Sequence, residues 1–199
     1  MRYFLIVLCV FFFSIAQANE ALKRELIHMS AIDQKVRREI QESGWENSSK
    51  ALLLKIQEID ENNTNRLKVI IKEHSWLTSD LVGKEGMAAV FLIVQHSPDL
   101  EFKAQMLPYL KISYLKGEGV TGQEVALLTD RVLIEKGYKQ LYGTQVDISA
   151  GKVIIKPIED ETNVDTRRAE MQMPPLAFYL KLMEEMYGIT DHPEIELNQ

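Results

Sequence analysis

The sequence predicts a mainly α-helical chain that carries a single β-hairpin, and two observations lead to this fold class. Apolar residues recur every three or four positions over most of the chain, as on the buried face of an amphipathic helix. Between Leu141 and Pro157 the apolar period changes to two, which is typical of strands. We therefore expect one compact domain of about six helices with the hairpin packed against them, because an isolated hairpin is only marginally stable.

Residues 1–18 have the pattern of a secretory signal peptide. Arg2 provides the positive start, residues 4–15 form the apolar segment, and Ala16-Gln17-Ala18 is a small-residue cleavage site. The apolar segment is shorter than the roughly 20 residues that a membrane-spanning helix needs, which favours cleavage after Ala18 over an uncleaved anchor. The sequence thus predicts an exported protein, periplasmic or extracellular, with no membrane attachment after cleavage and a single domain over residues 19–199.

The composition limits the classes of function. Without Arg2 the chain has 22 basic and 29 acidic residues, a formal charge of −7. An acidic balance without a basic block argues against nucleic acid and anionic membrane surfaces as partners. Cys9 is the one cysteine, and because large Leu8 precedes it we expect no lipid attachment. Residues 19–199 therefore offer no disulfide, no thiolate metal ligand and no cysteine nucleophile, and no motif identifies a cofactor or an oligomeric state.

The first predicted helix, over residues 20–41, carries a carboxylate on its buried face. Its apolar positions are spaced by three, four or seven residues, and Asp33 occupies the position missing from this stripe. A carboxylate in such a place is usually paired, and Arg37 lies one turn further on. Asp33 is therefore expected to be buried and bonded to Arg37.

The second predicted helix begins at a cap near Ser48 or Ser49 and continues to about residue 73. Asp60 and Asn63 interrupt the middle of its apolar face. If this helix packs antiparallel on the first, as a short connection favours, Asp33 meets these two residues. The alternative is that Asp60 or Asn62 caps a new helix, as such residues often do.

The third predicted helix is apolar on every side. A loop from Leu77 to Gly86 leads into the apolar residues 87–94, which end on Gln95 and His96. Polar residues at the end of a buried helix face desolvation unless they are bonded, so a site is expected here. Gly86 and Ala89 leave a small-residue face, which indicates close packing of another helix rather than a ligand.

The later elements follow from start and stop signals. We expect helices over residues 100–116, 122–136, 164–170 and 176–187, the second of these opened by the capping box Thr121-Gly-Gln-Glu124. Strands are expected over residues 141–146 and 152–156. Asp130 and Arg131 interrupt an otherwise apolar helix, which indicates buried charges that have partners.

Nine short strings together resemble a bacterial family of unknown function. The resemblance extends from about Asp33 to Tyr179, and it implies no activity because the family has none established. Many family members carry a proline where this chain has Leu77. Many also have a further acidic residue or histidine near Ser97 that this chain lacks, and this second difference argues against a metal site near Ser97. The strings are Asp33-Gln34-x-x-Arg37, Asn63-Thr64-x-Arg66-Leu67, His74-x-Trp76, Val82-Gly83-x-x-Gly86, Val94-Gln95-His96, Leu128-Thr129-Asp130-Arg131-Val132, Tyr142-Gly143-Thr144-Gln145, Pro157-Ile158-Glu159-Asp160 and Val164-Asp165-x-Arg167-Arg168.

These polar residues predict a buried pocket that binds or hydrolyses a small polar or anionic ligand. A histidine oriented by Asp130 would act as general acid or base, with His96 and His74 as the candidates. Such a site requires His96, Asp130, Arg131 and Gln145 to converge. The expected ligand-binding residues are Arg131, Gln95, Gln145, Tyr142, Asp33, Asp60 and Asn63.

Two other interpretations use the same residues. In the first, His74 and His96 bind a divalent metal together with Asp60, Asp99 or Asp130, but the chain has no close ligand pair, so we assign no metal ligands. In the second, the polar residues form a satisfied internal network, and the protein is a structural or interaction module of the cell envelope.

Overall fold

The computed structural model describes residues 2–44, 48–149 and 152–186, with side chains from residue 17 to residue 185 within these ranges. In this part of the chain there are seven α-helices and a two-stranded antiparallel sheet, so the predicted fold class is confirmed. The chain divides into two compact units, residues 1–120 and 121–199, and each is described by itself below. The single domain over residues 19–199 stays a prediction.

The first unit consists of four helices: α1 (Arg2–Ser43), α2 (Lys50–His74), α3 (Ser79–His96) and α4 (Leu100–Leu115). Helix α2 begins at the predicted cap, where the Ser49 hydroxyl accepts a hydrogen bond from the Leu52 amide. It continues without interruption past Asp60 and Asn62, so the alternative in which these residues cap a new helix is wrong. Asp60 and Asn63 therefore lie inside one helix, as the first interpretation requires.

Helices α1 and α2 pack antiparallel, as predicted. Contacts between them pair successively later residues of α1 with earlier residues of α2, from Glu25 with Arg66, through Arg37 with Asp60, to Glu39 with Lys55. An apolar cluster of Val36, Ile40 and Ile56 fixes the helix pair at one end. This packing places the middle of α2 opposite residues 29–37 of α1.

Helix α3 lies against α1 through its small residues. The Lys23 side chain of α1 lies 3.9 Å from the position that a Cβ atom would occupy on Gly86, so another helix covers the Gly86 part of this face as expected, and it lies 3.4 Å from the same position on Gly83. The predicted loop over residues 77–86 is wrong. Residues from Ser79 are already helical, and the interruption is confined to Gly83, whose φ of 69° lies in the left-handed region that glycine adopts without strain.

The second unit contains α5 (Gly122–Glu135), β1 (Val146–Ser149), β2 (Lys152–Ile155), a 3-10 turn (Glu161–Asn163), α6 (Val164–Glu170) and α7 (Leu176–Met186). The predicted capping box of α5 is confirmed: Thr121 and Glu124 each bond the other's backbone amide. Strand β1 starts five residues later than predicted, and residues 141–145 are not part of the sheet. Their amides bond buried side chains instead of a neighbouring strand.

No helix among the described residues is long and apolar enough to cross a membrane. Residues 2–18 of the predicted signal segment lie within α1, and residue 1 and the side chains of residues 2–16 are outside the described part. Export and cleavage after Ala18 stay predictions.

Candidate functional site

Four charged or titratable side chains from three helices meet in the first unit. Asp33 and Arg37 come from α1, Asp60 from α2, and His96 from the last turn of α3. They form what we call the Asp33 cluster, a continuous chain of hydrogen bonds from His96 through Asp33 and Arg37 to Asp60. The sequence predicted that Asp33 would bond Arg37 and meet Asp60, and both are confirmed.

His96 is oriented by Asp33. Its Nδ1 lies 2.9 Å from one carboxylate oxygen of Asp33 and 3.1 Å from the other. An ionised carboxylate can only accept hydrogen bonds, so Nδ1 carries the proton. In the described part of the chain, Nε2 of His96 has no hydrogen-bond partner, and the side chain is 18% exposed. Of the two ring nitrogens, Nδ1 is thus the one that the described residues hold.

Arg37 links the two carboxylates. Its Nε donates to Asp33 at 3.0 Å, and its Nη2 donates to both oxygens of Asp60 at 2.7 and 2.8 Å. Burial raises the pKa of Asp60, and the positive charge of Arg37 counteracts part of this effect. The guanidinium of Arg37 therefore lies between one carboxylate of α1 and one carboxylate of α2.

Asp33 is the most buried member, with 2% of its side chain exposed. Burial alone would disfavour its charged form. The hydrogen bond and charge of His96, the charge of Arg37 and a hydrogen bond from Gln34 outweigh burial and lower the pKa of Asp33 to about 2. Asp33 is therefore ionised at neutral pH, as an acceptor for the His96 N–H must be.

The lowered pKa of Asp33 predicts a pH-dependent contribution to stability. Because the folded-state value lies below the unfolded value of about 3.9, the contribution is present above about pH 4 and is lost as the pH falls through 2. At pH 7 we expect the free energy of unfolding to be about 2 kcal/mol higher for the wild type than for Asp33→Asn. Urea unfolding at pH 7 and at pH 2.5 measures the difference in free energy of unfolding between wild type and Asp33→Asn. A difference that is no smaller at pH 2.5 than at pH 7 would contradict the lowered pKa of Asp33.

The other predicted residues of the first unit lie apart from this chain of hydrogen bonds. The Asn63 amide donates to the backbone oxygen of Met29 at 3.3 Å, so Asn63 joins α2 to α1 without bonding a carboxylate of the cluster. Gln95 is buried beside His96 in sequence. His74 is exposed at the end of α2. Of the two predicted catalytic histidines, only His96 has a carboxylate partner among the described residues.

Asp130 lies in the second unit, where its carboxylate anchors the backbone of residues 141–144. It accepts hydrogen bonds from the amides of Leu141, Tyr142 and Thr144 and from the Thr144 hydroxyl, at distances of 2.7 to 3.2 Å. Burial raises the pKa of Asp130, and these donors counteract it. The role of orienting His96, which the sequence analysis gave to Asp130, is taken by Asp33.

Gln140 anchors the same segment, and the sequence analysis missed it. It is fully buried; its amide nitrogen donates to the backbone oxygens of Gln145 and Lys156, and its side-chain oxygen accepts from the Gln145 amide. A long polar side chain between Lys139 and an apolar residue gives no periodic signal, so burial could not be predicted from the pattern.

Arg168, from the string Val164-Asp165-x-Arg167-Arg168, is a third buried anchor. Its Nε and Nη1 donate to the backbone oxygens of Pro174 and Tyr142, both at 2.7 Å.

The Gln145 side chain bonds Thr144, while Tyr142 and Arg131 are half-buried. Predicted residues Asp130, Tyr142 and Gln145 thus meet in the second unit. Their convergence with His96 stays a prediction, because each unit is described by itself.

A shallow cavity of about 300 Å³ lies between α2 and α4 in the first unit. Its walls include Lys68, Lys72 and Phe102, and Lys68 donates to Asp99 at 2.6 Å. Asp99, a candidate of the metal interpretation, lies in its wall, but none of the predicted catalytic or ligand-binding residues does, so the cavity supplies no argument for the predicted pocket.

Comparison with curated proteins and with solved structures gives no match. A family match does exist and extends over residues 20–192, which include every residue discussed above as a candidate. The chain belongs to DUF6624, a family of unknown function.

Proposed function

We propose that the Asp33 cluster binds a small polar or anionic ligand, and that His96 transfers a proton to or from it. The observation that carries this proposal is the state of the His96 ring: Nδ1 is held by a buried carboxylate while Nε2 has no partner among the described residues. A histidine fixed in this way presents one defined nitrogen to a ligand. It is the arrangement that general acid–base chemistry requires.

The carboxylate of Asp33 supports both halves of proton transfer. It fixes the ring so that neutral His96 has its lone pair on Nε2, and it stabilises the positive charge that appears when Nε2 takes a proton. In a hydrolysis, Nε2 would take the proton of an attacking water and return it to the leaving group. Binding alone needs only the hydrogen bond to Nε2.

Arg37 supports the preference for a polar or anionic ligand. Its Nε and Nη2 are bonded to the two carboxylates, while its Nη1 has no hydrogen bond among the described residues. The side chain is 25% exposed, so Nη1 can donate to a ligand oxygen from the solvent side. The signal segment supports an exported, periplasmic or extracellular location for this activity.

The second candidate function is a structural or interaction module of the cell envelope. The hydrogen bonds of the second unit favour it, because Asp130 and Gln140 hold backbone groups, and Asp130 also holds the Thr144 hydroxyl. The Asp33 cluster differs from them, since its bonds join side chains and leave one histidine nitrogen available.

The proposal is tested by identifying the small molecules that stay bound to the chain through purification. Full-length chain is incubated with a cell extract in a chelator-containing buffer and repurified, and the released small molecules are compared by mass spectrometry for wild type, His96→Ala and His28→Ala. His28 is an exposed histidine of α1 and serves as the matched control. We expect wild type and His28→Ala to retain a compound that His96→Ala does not.

His96→Ala is expected to lower the free energy of unfolding by only about 1 kcal/mol, because Asp33 keeps Arg37 and Gln34 as donors. Thermal unfolding of the same three proteins measures this. Identical retained compounds in all three, together with a large loss of stability in His96→Ala, would favour the structural module instead.

A further inference from the structure

We propose that Asp33, Asp60 and His96 also form a divalent-cation site, with Arg37 occupying the cation's place in the cation-free protein. The three residues come from α1, α2 and α3, and each offers one ligand atom within 4.8 Å of the others. Two carboxylates and an imidazole are a donor set suited to zinc, manganese or ferrous iron. The inference deepens the proposed function, because it concerns the same cluster and adds a cofactor to it.

The observed distances require little movement. Metal–ligand bonds of about 2.1 Å place neighbouring donors of one ion about 3 Å apart and opposite donors about 4.2 Å apart. The Nδ1 atom of His96 already lies 2.9 Å from Asp33. The three ligand atoms lie within 4.8 Å of one another, so rotation of the Asp60 and Asp33 side chains towards His96 would close the site, and the remaining positions of the ion would stay open to a ligand.

Arg37 is the competitor that must leave. Its guanidinium supplies the positive charge between the two carboxylates, and two of its nitrogens make the bonds that a cation would replace. The side chain is partly exposed and its stem is flexible, so the guanidinium can turn towards solvent. A divalent cation in its place would balance the two carboxylate charges.

Cation binding would change what His96 can do. Coordination through Nδ1, the nitrogen that faces Asp33, moves the ring proton to Nε2. His96 then donates a hydrogen bond at Nε2 and no longer accepts a proton there. The cation-free and cation-bound states would thus give the same site two different chemistries, and cation concentration would select between them.

Binding of the cation is measured by titrating the chelator-treated full chain with manganese chloride or zinc chloride alone in a calorimeter. We expect one ion per wild-type chain, and at least tenfold weaker binding by Asp60→Asn and by His96→Ala. Asp147→Asn removes an exposed carboxylate of the hairpin and should bind as the wild type does. Arg37→Met should bind about tenfold more tightly or better, because it removes a positive charge from the site.

The sign of the Arg37→Met effect separates a cation site from a structural network. If the cluster is a structural network, Arg37 supplies its positive charge and no divalent ion binds there. Arg37→Met then shows no saturable ion binding, and that result overturns the proposal. Equal binding by wild type and His96→Ala overturns it as well. If Arg37→Met does not fold, the ring ¹⁵N shifts of His96 in the wild type decide: movement of the proton to Nε2 on addition of zinc supports the site, and unchanged shifts refute it.

The cation proposal and the proposed function fail separately. Retention of a compound by the wild type in chelator, without calorimetric binding of either ion, leaves the proton-transfer site and removes the cation. Saturable ion binding without any retained compound leaves the cation site and removes the proton-transfer site.

Discussion

Asp130→Ala is expected to lower the free energy of unfolding by about 3–5 kcal/mol, the largest effect of any single substitution proposed for this chain. The substitution removes the acceptor of three backbone amides and of the Thr144 hydroxyl in a buried place. Each buried donor left without a partner costs about 1–3 kcal/mol. Urea unfolding followed by circular dichroism measures the loss, and hydrogen exchange should show faster exchange at the amides of Leu141, Tyr142 and Thr144.

Asp147→Ala is the matched control for this substitution. Asp147 is an exposed carboxylate of the same unit that bonds Lys156 at the surface, and its loss should cost at most about 1 kcal/mol. Equal stability of Asp130→Ala and Asp147→Ala would contradict the anchoring role. It would return Asp130 to the catalytic role that the sequence analysis gave it.

Gln140→Leu is expected to have the second largest effect, a loss of about 2–4 kcal/mol. Leucine nearly keeps the volume of glutamine, so the loss reports hydrogen bonds rather than a cavity. The Gln145 amide would lose its acceptor, the Lys156 oxygen would lose the Gln140 donor, and the Gln145 oxygen would keep only the Lys156 amide. The exchange of the Gln145 amide, which donates to the Gln140 side chain, should accelerate most.

Lys139→Leu provides the comparison, because Lys139 is the exposed neighbour of Gln140. It should change the free energy of unfolding by less than about 0.5 kcal/mol. If Gln140→Leu is no less stable than Lys139→Leu, the segment 140–145 has another anchor and the hydrogen bonds described here do not hold it.

The helices and much of the Asp33 cluster could be predicted because both follow from local spacing. Asp33 interrupts a regular apolar stripe, and Arg37 stands one helical turn away, so their pairing needs no tertiary information. The contact of Asp33 with Asp60 could be predicted by assuming that α1 and α2 pack antiparallel. The bond from His96 could not, because nothing in the sequence specifies how α3 lies against α1.

The second unit was predicted less well because side chains there bond the backbone. Residues 141–145 alternate like a strand, yet Asp130 and Gln140 take their amides, and Gly143 adopts a φ of 69°. Such bonds join residues five to fourteen positions apart without any period. The burial of Asp130 in an apolar helix was predicted correctly. The partner of such a buried charge can be a histidine or a backbone amide, and the apolar spacing of the helix does not distinguish the two.

The central claim is that ligands of this protein meet His96, and the ring carbons of its four histidines test this most directly. Chain labelled with ¹³C-histidine is titrated with zinc chloride and, separately, with the compound that the wild type retains from extract. We expect the His96 signal to move first and alone, at substoichiometric zinc and at the lowest ligand concentration. A His96 signal that stays in place while His28 or His74 moves would contradict it.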